Sequence, residues 1–201
     1  AERLDRFLAK FARRQPGIEL RPVTRRSLAA DVPRIKRVYN LAWERNWAAV
    51  PMTDAEIDFL VARLKPLLIP GMIWLAEFQG EPAGFLLALP DFNQVLQPLH
   101  GRLLSPGLLR ALPYLLGWKR PDILRIVALG VRREFQGRGI ESAMLAHTLT
   151  ACRREGFREC EASWTLEDNR AVHRLAELFG GRRNKTWRLY SRPVPTPATP
   201  G

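Results

Sequence analysis

The sequence predicts an α/β (α+β) single domain: a central mixed, mostly antiparallel sheet flanked by helices, with a helical insertion between the third and fourth core strands. Three observations lead there. Short apolar runs with strand alternation are interleaved with segments whose apolar residues recur at helical spacing. Two of those runs flank a short turn, QGEP, as a β-hairpin would. A third run, at 123–131, passes directly into a glycine-containing turn and then a helix.

Taken in order, residues 1–17 are charged and are expected to form a helix and linker rather than a signal peptide. The segment 18–24, IELRPVT, alternates as a strand. Ser27 or Asp31 can start the next helix, with Pro33 in its first turn; Val32, Ile35, Val38, Tyr39 and Ala42 share one face. A second helix follows the cap Thr53-Asp54, with Ile57, Leu60, Val61 and Leu64 as its stripe. The hairpin MIWLAEF–QGEP–AGFLLALP comes next. Residues 92–121 are Leu-rich, punctuated by proline, and too long for an ordinary loop, so they read as the helical insertion. After the strand ILRIVALGV, a helix over 139–154 buries Ile140, Ala143, Met144, Leu149 and Cys152, and Gly156 closes it. CEASWTL is a strand, 169–179 a helix, and KTWRLYSR a final strand with Trp187 and Leu189 on one face. The domain thus spans 18–192, and 193–201 is a Pro-rich tail expected to be disordered.

Composition narrows the function classes. With 201 residues and 46% hydrophobic content the chain can bury a substantial core, and no apolar run is long enough to span a membrane. The net charge of +12 is spread as arginine pairs rather than as a tract, and no nucleic-acid motif is present, so a nucleic-acid partner is not expected. Cys152 and Cys160 read as reduced thiols, which with the charged N-terminus points to a cytoplasmic protein. His100, His147 and His173 share no metal-ligand spacing, and the last two read as surface residues, so no metal is predicted. The chain starts at Ala1, which is compatible with an upstream partner domain; a homodimer is the other assembly expected.

The chemistry concentrates in VRREFQGRGIESAML. The first amides of a helix lack internal acceptors and sit at the positive end of its dipole, and glycines let an anion approach them. A strand–turn–helix with Gln136, Gly137, Arg138 and Gly139 is therefore an anion site. The stretch resembles the acetyl-CoA motif of the GNAT superfamily of CoA-dependent N-acyltransferases, in which Gln/Arg-x-x-Gly-x-Gly/Ala opens a helix after a strand. The hairpin is similar to that family's central strand pair. Glu141 departs from the pattern at its last small position.

The resemblance implies an N-acetyltransferase with acetyl-CoA as cofactor. The amides of Gln136, Gly137, Arg138, Gly139, Ile140 and Glu141 would cradle the pyrophosphate. The backbone of Leu129, Gly130 and Val131 would pair with the pantetheine arm, and Asn169 would contact it too. The acyl group would lie where two neighbouring strands splay apart. Many members place a tyrosine acid about seven residues after that Asn; here Ala176 stands there, and Tyr190 or Tyr39 are the substitutes. Glu161 is the first candidate for the base and Asp91 the second. Asn40, Trp43, Trp47 and Trp164 would border the acceptor, a small-molecule or peptide amine. Glu141 and Ala176 also fit a second reading, a non-catalytic module of the same fold that binds CoA or a protein.

Overall fold

The computed structural model describes residues 2–44, 50–102, 104–190 and Arg192. Trp47, predicted at the acceptor side, lies outside the described residues, as does the tail at 193–201. The chain forms two compact units, residues 1–165 and 166–201.

The first unit holds a five-stranded sheet. Its strands are β1 (Ile18–Pro22), β2 (Ile73–Phe78), β3 (Glu81–Pro90), β4 (Ile123–Val131) and β5 (Glu159–Ala162), ordered 1-2-3-4-5. The first four pair antiparallel and β5 joins β4 in parallel. The β2–β3 hairpin closes on Gln79 and Gly80, both at positive φ, the arrangement whose twist matches flanking strands.

Helix α2 (Leu28–Trp43) covers one face. Its Val38 is fully buried and packs with Val32, Ile35, Tyr39 and Ala42, the stripe that the sequence spacing predicts, against Leu75 and Phe85, and Leu28 and Trp43 join the same cluster. The helix starts at Leu28, so Pro33 stands in its interior rather than its first turn. Helix α3 (Asp54–Leu64) begins at Thr53 with a full capping box to Glu56. Of its expected stripe Ile57 is buried and Val61 joins the core, whereas Leu60 is 40% exposed.

Helix α6 (Ile140–Arg154) covers the other face, with Ile140, Ala143, Met144 and Cys152 buried and Leu149 only partly so. His147 is not a free surface side chain: it is half-buried and stacks on Trp74 with centroids 4.3 Å apart. An N-terminal helix, α1 (Glu2–Arg14), packs on α6 through buried Phe11. Between β3 and β4 the chain forms α4 (Asn93–Leu96), a 3-10 turn and α5 (Leu108–Leu115).

In the second unit, α7 (Arg170–Leu178) is capped by Asn169, whose Oδ1 accepts from the Val172 amide at 3.3 Å. The final strand expected over 185–192 is not formed: 182–190 have no regular structure, and Trp187 and Leu189 are 77% and 81% exposed. Alternation shows that a segment could pair, but a strand also needs a partner edge. The strand expected at 160–166 also stops early, at Ala162, and Trp164 beyond it is 78% exposed.

Candidate active site

The site starts from an interrupted ladder. β3 and β4 shift register between Leu87 and Ala88, leaving Val127 without a partner and 46% exposed. Such a bulge bends its strand away from a neighbour. On the other edge, β4–β5 pairing runs from Ile123↔Glu159 to Ile126↔Ala162, and the Ser163 amide donates to the Ile126 carbonyl at 3.1 Å. Past that point β4 has no β5 neighbour.

Which groups line this opening follows from strand alternation. The Arg132 amide donates to the Ala83 carbonyl at 2.8 Å, and Gly130 lies opposite Phe85. Gly130 therefore bonds toward β3, and the amide and carbonyl of Leu129 point the other way, into the opening. The Val131 carbonyl is taken by Gln136 Nε2 at 3.1 Å. Gly130 contributes through its small size. A Cβ there would come within 2.5 Å of the Trp43 ring, so its lack of a side chain lets α2 lie against β4.

β4 leads through a 3-10 turn at Arg133–Phe135 to the glycine turn. Gly137 and Gly139 have φ of 76° and 82°, a region that favours glycine. A Cβ on Gly137 would meet nothing within 4 Å, so the turn presents open space in front of its backbone. The Gln136 amide is engaged, donating to the Arg133 carbonyl at 3.2 Å, and so leaves the predicted cradle. Among the described residues the amides of Gly137 and Arg138 have no backbone acceptor, and Ile140 and Glu141 open α6, where amides lack intrahelical partners. The Arg138 guanidinium lies over the rings of Phe78 and Phe135, 5.0 and 5.6 Å from their centroids, which fixes the turn against the sheet.

Glu141 does not reach toward Arg138. Its carboxyl is half-buried without an ion-pair partner among the described residues. Burial pushes its pKa up, against a smaller opposing effect of its own amide. In its protonated form such a carboxyl can donate a hydrogen bond to an anion, whereas its charged form would repel one. Open amides, a turn without Cβ obstruction and an unpaired strand edge in line with them fit the pyrophosphate and amide-bearing arm of CoA.

The two carboxylates predicted as bases share one cation. Arg125 Nη2 lies 3.0 Å from Glu161 Oε2 and 3.5 Å from Asp91 Oδ2. Asp91 is buried, and its Oδ1 accepts from the Asn93 amide and Nδ2 at 3.2 and 2.8 Å. Asp91 is thereby fixed in place, while Glu161, on β5 beside the end of the ladder, stays partly exposed. Arg125 was missed in the sequence, where an arginine inside the apolar run ILRIVALGV was the available signal.

Asn40 and Trp43 come together with Tyr39 around a 70 Å³ hollow that Glu44, Val50 and Pro51 complete. The Tyr39 and Trp43 rings stack at 4.8 Å, and Trp43 also packs on Phe85, so it serves core and hollow at once. The Met52 amide donates to Asn40 Oδ1 at 3.3 Å and leads to a wider, open depression of 430 Å³ lined by Met52, Ala55, Glu56, Phe59 and Leu60. Tyr190 is not on a strand and is 90% exposed. Asn169 and Ala176 belong to the second unit, where Asn169 acts as a helix cap.

A bulged strand opening from its parallel neighbour and feeding a glycine turn at a helix start defines an acyl-CoA-binding class of fold. A family model described as the acetyltransferase (GNAT) family matches residues 32–180, more than half of the sequence, and the chain belongs to that family. Membership makes acyl transfer its reaction class. The chain is 32% identical over 180 residues to a protein named bacterial ceramide synthase from Caulobacter vibrioides, covering 88% of this chain and 47% of that one. It spans about half the length of the curated relatives it matches. An aminoglycoside acetyltransferase from an uncultured soil metagenomic sample, solved with sisomicin, superposes with a TM-score of 0.55 at 15% identity, over 89% of this chain and 98% of that one. Aminoglycoside N-acetyltransferase AAC(6')-Iy, solved with CoA, gives 0.54 at 13% identity, over 88% and 95%. At these identities the solved structures speak to the fold.

Proposed function

We propose that this domain transfers an acyl group from a CoA thioester to a primary amine, and that the acceptor is a long-chain amine. The observation that carries the first part is the open edge of β4 at Leu129 running into the unpaired amides of the 137–141 turn. The acceptor reading rests on the apolar wall from Trp43, Val50 and Pro51 to Met52, Phe59 and Leu60. The relative named a ceramide synthase supports it, since a ceramide is the amide of a long-chain amino alcohol.

In this reading Gly137, Arg138, Gly139, Ile140 and Glu141 hold the pyrophosphate through their amides, and Leu129 orients the arm as an added strand would. An acyl-CoA, when bound, would supply a thioester whose thiol is the leaving group. The chain brings the amine onto the open face beside the bulge, and holding both reactants in one geometry provides much of the rate. Glu161, directly or through water, accepts the proton lost by the nitrogen, and Arg125 with Asp91 keeps that carboxylate in position. The nitrogen lone pair forms the amide, the carbon–sulfur bond breaks, and the thiolate takes up a proton from solvent.

The test is calorimetric titration with CoA and with acetyl- and long-chain acyl-CoA, followed by free-thiol release with long-chain amino alcohols and short amines. Binding with faster thiol release for long-chain amines is expected. Binding without release for any amine would favour the non-catalytic reading, and no binding would remove the CoA reading altogether.

A further inference from the structure

We propose that the segment between β3 and β4 is a docking surface for an anionic lipid bilayer. Its construction points there independently of the acceptor's identity. The segment is closed at its base: Gln94 Nε2 donates to Asp122 Oδ1 at 2.6 Å, and the Asp122 amide donates back to Gln94 Oε1 at 3.0 Å. It carries its own small core, in which Val95 and Leu99 pack with Ala111, Leu108 and Tyr114. That core uses one side of α5 and leaves the other bare.

The bare side is apolar. Leu109, Leu112 and Leu116 follow one another at helical spacing and are 76%, 38% and 50% exposed, with Leu115 beside them at 65%. Trp118 is 79% exposed at the end of the stripe, and Leu96 and Leu104 add exposed aliphatic surface in the same segment. Soluble proteins seldom leave so continuous an apolar patch uncovered.

Charge selects the occupant. From Phe92 to Pro121 the sequence contains no aspartate or glutamate, although the whole chain has 20. The same stretch has four cations, Arg102, Arg110, Lys119 and Arg120. A leucine stripe ended by tryptophan, in a segment whose own charges are all positive and whose nearest carboxylate, Asp122, is tied to Gln94 at its base, has the composition of a helix lying in a membrane interface, with aromatic and long basic side chains at headgroup level. A second copy would bring the same cations face to face, whereas an anionic surface complements them. No described helix is long and apolar enough to cross a membrane, so the contact is in-plane.

The test is co-sedimentation of the chain with phosphatidylcholine vesicles with and without phosphatidylglycerol, with sedimentation velocity in the absence of lipid. Sedimentation with the anionic vesicles is expected, at least tenfold weaker with phosphatidylcholine alone. Leu109→Glu with Leu116→Glu should abolish it, and both sites are exposed enough for the fold to persist by circular dichroism. Should that pair misfold, Lys119→Ser with Arg120→Ser provides the same test; each cation near an anionic surface is worth roughly fivefold, so binding should fall roughly 25-fold. CoA titration of the same variants should match wild type, which separates loss of docking from loss of the acyl-transfer site. Absence of wild-type binding to anionic vesicles overturns the proposal. So does binding that the variants leave unchanged, or a wild-type dimer that Leu109→Glu dissolves while vesicle binding is absent.

Discussion

Glu141 stands in the first turn of α6, beside the glycine turn, with a half-buried carboxyl. Burial raises its pKa, so in the folded protein its proton is retained to higher pH than in the free side chain. Two outcomes follow. Affinity for CoA should rise as pH falls through that raised value, because the protonated acid no longer repels the pyrophosphate; Glu141→Gln should bind more tightly at neutral pH and lose most of that dependence, read by calorimetry across pH. Stability should fall as pH rises from the 4.5 of a free glutamate through the raised folded value, since the unfolded chain ionises first. The melting temperature of Glu141→Gln should therefore exceed wild type at pH 7, with the gap closing near pH 4. Gly137 is the complementary case. An open Cβ position at φ 76° means that Gly137→Val costs backbone strain of about 1–2 kcal/mol and places a side chain where the phosphate would lie, so CoA binding should fall far more than stability. The turn's conformation was legible in the sequence because glycine spacing reports backbone conformation directly. The engagement of the Gln136 amide was not, because it depends on how the 3-10 turn before it closes.

At the scale of elements, α2 is pinned to the sheet by charge as well as by packing. Arg21 on β1 donates two bonds to Asp31, at 2.6 and 3.0 Å, and one to Glu77 on β2, at 2.7 Å; Arg34 also pairs with Glu77. Asp31 and Glu77 are buried. Burial alone would raise Asp31, but its bonds to Arg21 and Ser27 and the nearby charges of Arg21 and Arg34 hold its pKa below the usual carboxylate value. Asp31 therefore stabilises the fold above the 3.8 of a free aspartate, and that contribution is lost as pH falls through its lower folded pKa. Arg21→Met leaves two buried carboxylates short of a partner and should cost about 3 kcal/mol in urea unfolding. The same substitution should shift acid unfolding to higher pH. Glu77 within WLAEF was a visible signal of this cluster, as Arg125 within ILRIVALGV was of the other. A charge inside an apolar strand announces a partner without naming it, because the partner comes from an element distant in sequence. For Glu161 the consequence is a testable pair: Glu161→Gln should lower the turnover number with little change in KM, whereas Asp91→Asn, which only loosens Arg125, should lower it less.

Over the whole molecule, periodicity carried most of the way. The hairpin, the α2 stripe and the strand–turn–helix of β4 and α6 each announce themselves locally, and the antiparallel start of the sheet follows from them. What local pattern could not give is where pairing stops. The end of the β4–β5 ladder at Ile126 and Ala162 and the bulge at Val127 create the opening proposed as the reaction site, and both arise from register between strands. The unformed strand at 185–192 is the same lesson in reverse, with alternation present and pairing absent. The opening and the turn can be tested together by amide hydrogen exchange, with and without CoA. Protection gained on binding at Leu129 and at the 137–141 amides, and little elsewhere in the first unit, is the predicted result. Unchanged exchange at both places under saturating CoA would contradict the placement of the cofactor along β4 and its turn.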